Sequence, residues 1–436
     1  MKLTQITILA LMISLCGHTV ADDTIPGAPQ KKAIALVGGI VHPASGPAIK
    51  NGVVVFDNGK IVSVGAGVAI PGGAEIIDVK GKHIYPGLFE AHSALGLTEV
   101  SSTRSTVDHS EAGSLNPNVQ ANRAVNPDSA LIPVTRSNGI LFALSSPQSG
   151  TISGRASVMQ LDGWTFEDMT IKDAAAMMIQ WPRMEPVFRA PGDEPAEEQE
   201  EERDSALEEL RDLFRDARLY SKGRDAQKQK FDIRLASMKS VIDGELPLLV
   251  RADSLAAIQS AVMFAVEQKV RLIILGGYAA PDCADLLKKH KVPVIVSAIH
   301  RRPRSRSDAY DAAYTLPLRL QELGIQYCIS GTDASETWNT RNLPYQAGYA
   351  VAFGLDKQEA LKAITLYPAQ ILGVDKQIGS LEAGKDASLF VATGDTLQTS
   401  SNVTHAWIQG RKVDLNDKHK RLYNKYSEKY RRLGAR

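Results

Sequence analysis

Leu246-Pro247-Leu248-Leu249-Val250-Arg251-Ala252-Asp253 opens the stretch on which the fold is read, because apolar runs of similar length follow it at intervals filled by helical patterns. These runs are Arg271 to Leu275, Val292 to Ser297 and Gln326 to Ser330, with Gly139 to Leu144 a further one upstream. A strand that stays apolar at consecutive positions has both faces covered, as happens to parallel strands joined by crossover helices. The alternation predicts parallel βα units, closed into a barrel or opened as a doubly wound sheet. With 436 residues, 44% of them hydrophobic, the chain can build a large α/β unit and a smaller accessory domain.

Either side of this region the pattern changes. From Lys32 to Val79, β-rich runs such as Val53-Val54-Val55-Phe56 and Ile61-Val62-Ser63-Val64 are separated by the turn signals Asp57-Asn58-Gly59 and Pro71-Gly72-Gly73. Gly379 to Val413 has the same character, with Ala387-Ser388-Leu389-Phe390-Val391 and Val403-Thr404-His405-Ala406-Trp407-Ile408. The two ends are expected to pair into one small discontinuous β-sandwich domain, residues 22–84 with 376–415. Within the α/β region, the acidic run Asp193 to Asp204 leads into Ala206 to Tyr220, where Leu207, Leu210, Phe214 and Ala217 share a helical face. That stripe should pack on the main unit, and the carboxylates suit a solvated helix start better than a docking surface.

The first 21 residues read as a secretory signal, with Lys2 as the positive end, Ile6 to Leu15 as the apolar core and Thr19-Val20-Ala21 as a small-residue cleavage site. The apolar run is shorter than the roughly 20 residues that span a bilayer, so an exported chain without a transmembrane segment is expected, periplasmic or secreted. After cleavage only Cys283 and Cys328 remain, too few for a disulfide framework, and Cys328 sits in an apolar run that predicts a buried thiol. A formal net charge of +1 excludes a whole-chain field for nucleic acid. Charge is local instead: residues 416–436 form a basic segment with Tyr423, Tyr426, Tyr430 and Leu433 at helical spacing. An amphipathic helix follows, packed on its own domain or meeting an anionic surface or partner chain.

Two segments carry a family resemblance. The run Gly354-Leu355, Glu359-Ala360-Leu361-Lys362-Ala363-Ile364-Thr365, Pro368-Ala369, Leu372-Gly373 and Ile378-Gly379-Ser380-Leu381-Glu382-Ala383-Gly384-Lys385-Asp386-Ala387 resembles a signature of the amidohydrolase superfamily, in its imidazolonepropionase-like, exported branch. Tyr85-Pro86-Gly87-Leu88-Phe89-Glu90-Ala91-His92-Ser93-Ala94 resembles the family's first barrel strand, where an acidic residue precedes His-x-His. The resemblance implies a TIM-like (β/α)8 barrel over residues 85–375 and a divalent metal, usually zinc, at the C-terminal ends of its strands. Such a metal lowers the pKa of bound water and polarises the scissile carbonyl.

The ligand positions that the resemblance marks are largely vacated. His92 is present, but its partner is Ala94; Arg251 stands where the fifth strand would supply histidine, and a guanidinium repels a cation. Gly276 or Gly277 occupies the sixth-strand position, and no lysine stands out on a fourth strand. The eighth-strand aspartate persists as Asp333, the expected general base. Asp108-His109-Ser110-Glu111 and Ile299-His300-Arg301-Arg302-Pro303 follow the first and seventh strands, so His109 and His300 either rebuild a metal site with His92 or serve as polar loop residues beside an anionic ligand. Arg251 suits a substrate carboxylate, with His300 beside it, and equally suits pairing with Asp333. Two further segments, Asn116 to Asp128 and Tyr310 to Pro317, are expected as shaped loops over a ligand site or a subunit interface.

The resemblance implies a hydrolase acting on carbon–nitrogen bonds other than protein peptide bonds, such as those of cyclic amides or capped dipeptides. A non-catalytic relative, binding such a small amide or dipeptide-like ligand or partnering an active paralogue in a hetero-complex, accounts for the simultaneous loss of ligands on three strands. A homo-oligomer is compatible with both. Nonhydrolytic lyase or isomerase chemistry has no residue pointing to it.

Overall fold

The computed structural model describes residues 25–188, 193–225, 230–331 and 334–434. The expected secretory signal and Asp333 lie outside the described residues. Strands from the two ends of the chain are hydrogen-bonded into one eight-stranded sheet. It contains β1 (Ile34–Val41), β2 (Ile49–Asp57), β3 (Lys60–Ala66), β4 (Glu75–Asp78) and β5 (His83–Pro86), and from the far end of the chain β14 (Leu389–Ala392), β15 (Val403–Ile408) and β16 (Arg411–Lys412). The order is β16-β15-β14-β5-β1-β2-β3, with β4 on β1. β14 pairs antiparallel with β5, Phe390 opposite Tyr85, and this is where the two ends join.

The second sheet also has eight strands and is nearly closed: β6 (Leu88–Ser93), β7 (Ile140–Ser145), β8 (Ile152–Gln160), β9 (Thr170–Gln180), β10 (Leu248–Ala252), β11 (Leu272–Gly276), β12 (Val294–Ser297) and β13 (Tyr327–Ser330), neighbours in chain order. All are parallel except β8, which runs antiparallel to both β7 and β9. This corrects the expectation of a uniform (β/α)8 repeat. Only residues 146–151 join β7 to β8, a hairpin-length link, whereas a parallel neighbour needs a crossover of a dozen residues or more.

The second half keeps the expected rhythm. Leu248, Leu249 and Val250 are fully buried, as are Val294 and Ile295, because the barrel interior covers one face and helices the other. Helix Leu255–Glu267 starts at Ser254, whose hydroxyl accepts from the Ala257 amide, and buries Ile258, Ala261, Val262, Phe264 and Ala265. The long helix Ala196–Asp225 absorbs most of the acidic run and buries Leu207, Leu210, Phe214 and Ala217 as the spacing predicts. Phe214 meets Phe264 edge to face at 5.3 Å. Cys283 and Cys328 are both free and buried. Helix Lys418–Arg432 departs from the packed expectation, since none of its residues is buried.

Candidate functional site

Parallel barrel strands bring their C-terminal ends to one rim, and the paired residues Ser93 with Ser145, Arg251 with Gln180, Gly276 with Val296 and Ser297 with Ser330 mark that level. On β6, side chains alternate, so Glu90 and His92 share a face. Both are fully buried. The Glu90 carboxyl accepts from the Gly331 amide at 2.9 and 3.1 Å, from the His92 amide at 3.3 Å, and from the Ser330 hydroxyl. It thereby ties the first barrel strand to the last. A Cβ on Gly331 would lie 2.8 Å from Glu90 Oε2, so this approach requires glycine. Burial pushes the carboxyl up to about 7, and its hydrogen bonds offset part of that rise.

His92 is left differently. Neither ring nitrogen has a hydrogen-bond partner among the described residues. Burial, then the positive charge of Arg251, holds the imidazole well below its usual pKa, so it is neutral at pH 7. Ala94 is fully buried in the apolar cluster of the barrel wall. The place of a second histidine is thus filled by packed methyl and aliphatic groups.

The end of β11 is crowded. Gly276 has φ of 105°, and a Cβ there would stand 2.6 Å from Asp253 Oδ1; at Gly277, with φ of 69°, it would stand 2.3 Å from Val294 Cγ1. Asp253 is fixed in that position by the Tyr278 amide at 3.2 Å, by Arg304 at 2.6 Å and by Arg301 at 3.4 Å. The Arg301 guanidinium lies over the Tyr278 ring, 4.9 Å from its centroid, while the Tyr278 hydroxyl donates to Asp308 at 2.9 Å. Asp308 also accepts from the amides of Arg304 and Ser305 at 3.1 and 3.0 Å. The loop after the seventh strand is therefore a braced arginine loop.

His300 and His109 have other engagements. The exposed His300 ring stacks on Tyr349 at 4.6 Å, and its amide donates to Gln346 at 2.7 Å. His109 Nδ1 is 2.7 Å from the Thr98 hydroxyl, and burial followed by the charge of Arg104 lowers its pKa. Among the described residues, no three His, Cys, Asp or Glu side chains are grouped so as to hold a metal ion. Of the fourth-strand residues, Gln180 ends at the rim, while Lys172 lies at the opposite end of the strand and donates to the Leu372 carbonyl at 2.9 Å. The expected loops are ordered: Gln120 bridges to Arg155 on β8, and Tyr314 stacks on Phe353 at 4.7 Å. Sequence reasoning passed over Glu90 as a catalytic-face residue and Asp253 as an anchor. The signals were an acid inside an otherwise apolar strand and a run of arginines closed by Asp308.

Comparison with known proteins agrees with this architecture. The sequence model of the Amidohydrolase family matches residues 251–413. An amidohydrolase from Thermotoga maritima MSB8 superposes with a TM-score of 0.78 at 26% identity, over 87% of this chain and 99% of that one. The family match and this superposition support the amidohydrolase superfamily for the chain. An 82-residue segment is 37% identical to an imidazolonepropionase of Syntrophobacter fumaroxidans, covering 19% of this chain and 19% of that relative's length. At the level of fold alone, an adenosine deaminase from Xanthomonas campestris with bound zinc aligns at 15% identity with a TM-score of 0.52, over 93% of this chain and 99% of that one.

A metal is thus a reasonable expectation for a superfamily member, and the described residues do not fit one. Ala94 is apolar, Gly276 and Gly277 carry no side chain to ligate, Arg251 adds positive charge beside His92, and the oxygens of Glu90 are engaged by Ser330 and Gly331. Of the described residues at the marked positions, His92 alone offers a ligand atom, where a stable zinc site needs three or four.

Proposed function

We propose that this chain is a non-catalytic member of the amidohydrolase superfamily that binds, rather than hydrolyses, a small carboxylate-bearing amide such as a capped dipeptide, alone or beside an active paralogue. The observation that carries this reading is the end of β11. A side chain at Gly276 or Gly277 would be strained by the positive φ and would have to displace Asp253 or Val294, and Asp253 is held by Arg301 and Arg304. The rim invests its side chains in an arginine-lined mouth where active relatives would place metal ligands. Arg251, Arg301 and Arg304 suit recognition of a planar carboxylate. The sheet shared by the chain ends is read as a composite β domain that braces the barrel, and residues 1–21 are read as a leader for export to the periplasm or beyond.

A second reading, hydrolysis of a carbon–nitrogen bond in a cyclic amide or capped dipeptide, is favoured by one observation. His92 is a fully buried imidazole whose two nitrogens have no partner among the described residues, and an unsatisfied buried group is a feature of catalytic positions. In that reading Asp333 supplies the general base. Calorimetric titration with N-acetyl dipeptides and their C-terminal amides separates the two, with product formation followed in the same samples. Binding that needs the free carboxylate, falls about tenfold or more in Arg301→Gln and Arg304→Gln, and yields no product is expected. Product formation that is lost in His92→Ala would establish the second reading instead.

A further inference from the structure

Every side chain of helix Lys418–Arg432 is at least partly exposed. Its root is well made: the buried Asp417 carboxylate accepts from the amides of His419 and Lys420 at 2.8 and 3.0 Å, and the Lys420 ammonium donates to the Leu415 carbonyl at 2.7 Å. The helix is therefore firmly started, and its apolar stripe is left exposed. At 100° per residue, Leu422, Tyr423, Tyr426 and Tyr430, with Leu433 just past the helix end, fall on one stripe. These five are 41, 73, 48, 55 and 69% exposed.

The flanks of the stripe are cationic. Lys425 and Lys429 lie over the Tyr426 ring at 5.8 and 6.0 Å, and Lys429 also lies 6.0 Å from the Tyr430 centroid. Lys418 borders them, and Lys420 and Arg431 line the other edge. The helix's one acid, Glu428, is paired with Arg431 and Arg432 at 2.7 and 2.8 Å, so it leaves the lysine flank uncompensated. An occupant must offer negative charge and an interfacial environment for tyrosine in one plane.

The acidic helix Ala196–Asp225 of a second copy supplies only the charge. Its own apolar stripe, Leu207, Leu210, Phe214 and Ala217, is buried in the barrel and presents nothing to the tyrosines. An anionic bilayer surface supplies both, with phosphates for the basic flanks and a headgroup layer in which tyrosine rings are favoured. We propose that helix Lys418–Arg432 lies in the plane of an anionic lipid surface and holds the protein there as a reversible peripheral anchor. Among the described residues no helix is long and apolar enough to cross a membrane, so the contact is interfacial.

Co-sedimentation of the purified full chain with phosphatidylcholine vesicles, with and without phosphatidylglycerol, tests this. Binding should require phosphatidylglycerol and weaken as salt rises. Lys418→Gln, Lys425→Gln and Lys429→Gln combined should lower the partition about a hundredfold, since each basic residue near such a surface is worth about a factor of five. Tyr426→Ser with Tyr430→Ser should weaken binding even at low salt, and thermal unfolding of both variants should match the wild type because the altered positions are exposed. Equal binding to both vesicle types, no binding, or wild-type binding by the triple variant would overturn the proposal. A concentration-dependent dimer that disappears in the triple variant, without vesicle binding, would overturn it in favour of a protein partner.

Discussion

Glu90 holds a carboxyl group in the barrel wall where burial raises its pKa to about 7. The folded state then binds this proton more tightly than the unfolded chain, whose carboxyl titrates near ~4.3. Stability contributed by the group is fully present at acid pH and falls as pH rises to about 7. Glu90→Gln should remove that slope. The stability difference between wild type and variant, read by urea unfolding at acid and at mildly alkaline pH, should change by up to about 3 kcal/mol across the interval. His92 titrates with the opposite sign: its folded pKa is depressed, so stability is lost as pH falls below about 6.5. His92→Ala should flatten the acid limb. Gly276 sets the shape of the site, and Gly276→Ala should cost about 1–3 kcal/mol, because φ is positive and the new methyl meets Asp253.

Among the elements, the clearest in the sequence were those with a single period. The strands from Leu248 to Ser330 were legible because parallel strands covered on both faces are apolar throughout, and the stripe on helix Ala196–Asp225 because one face meets the barrel. Phe214→Ala should cost about 3–5 kcal/mol in chemical denaturation, as its ring is fully buried against Phe264. Neutralising the exposed glutamates of the same helix should change stability little. Strand β8 was illegible for a different reason. Its direction depends on the length of a loop and on pairing with β7 and β9, and a buried antiparallel strand carries the same composition as a parallel one. The vacated ligand positions were legible residue by residue, whereas the crowding at Gly276 needed the Asp253 carboxylate, brought there by Arg301 and Arg304 from a loop some fifty residues on. The C-terminal helix was half legible: its amphipathic face was in the sequence, but the exposure of that face was not.

For the molecule as a whole, the barrel and the end-to-end sheet are joined through a buried ion pair. Arg136 donates to Asp162 at 3.0 Å and to the Leu161 and Asp414 carbonyls, while Asp162 also accepts from the Gly27 amide at 3.1 Å and lies 3.6 Å from Arg411. Burial nonetheless raises the Asp162 pKa, and the two arginines offset part of the rise. Asp162→Ala should destabilise by about 3–5 kcal/mol, since Arg411 and the buried Arg136 would lose this carboxylate. The assembly that this pair holds together has the fold of an amidohydrolase, and we read its rim as holding no superfamily metal centre. Elemental analysis of the purified chain after zinc saturation and desalting tests that most directly. Substoichiometric metal that is unchanged in His92→Ala and Asp333→Ala is expected. One tightly held equivalent, lost in both variants, would contradict this reading.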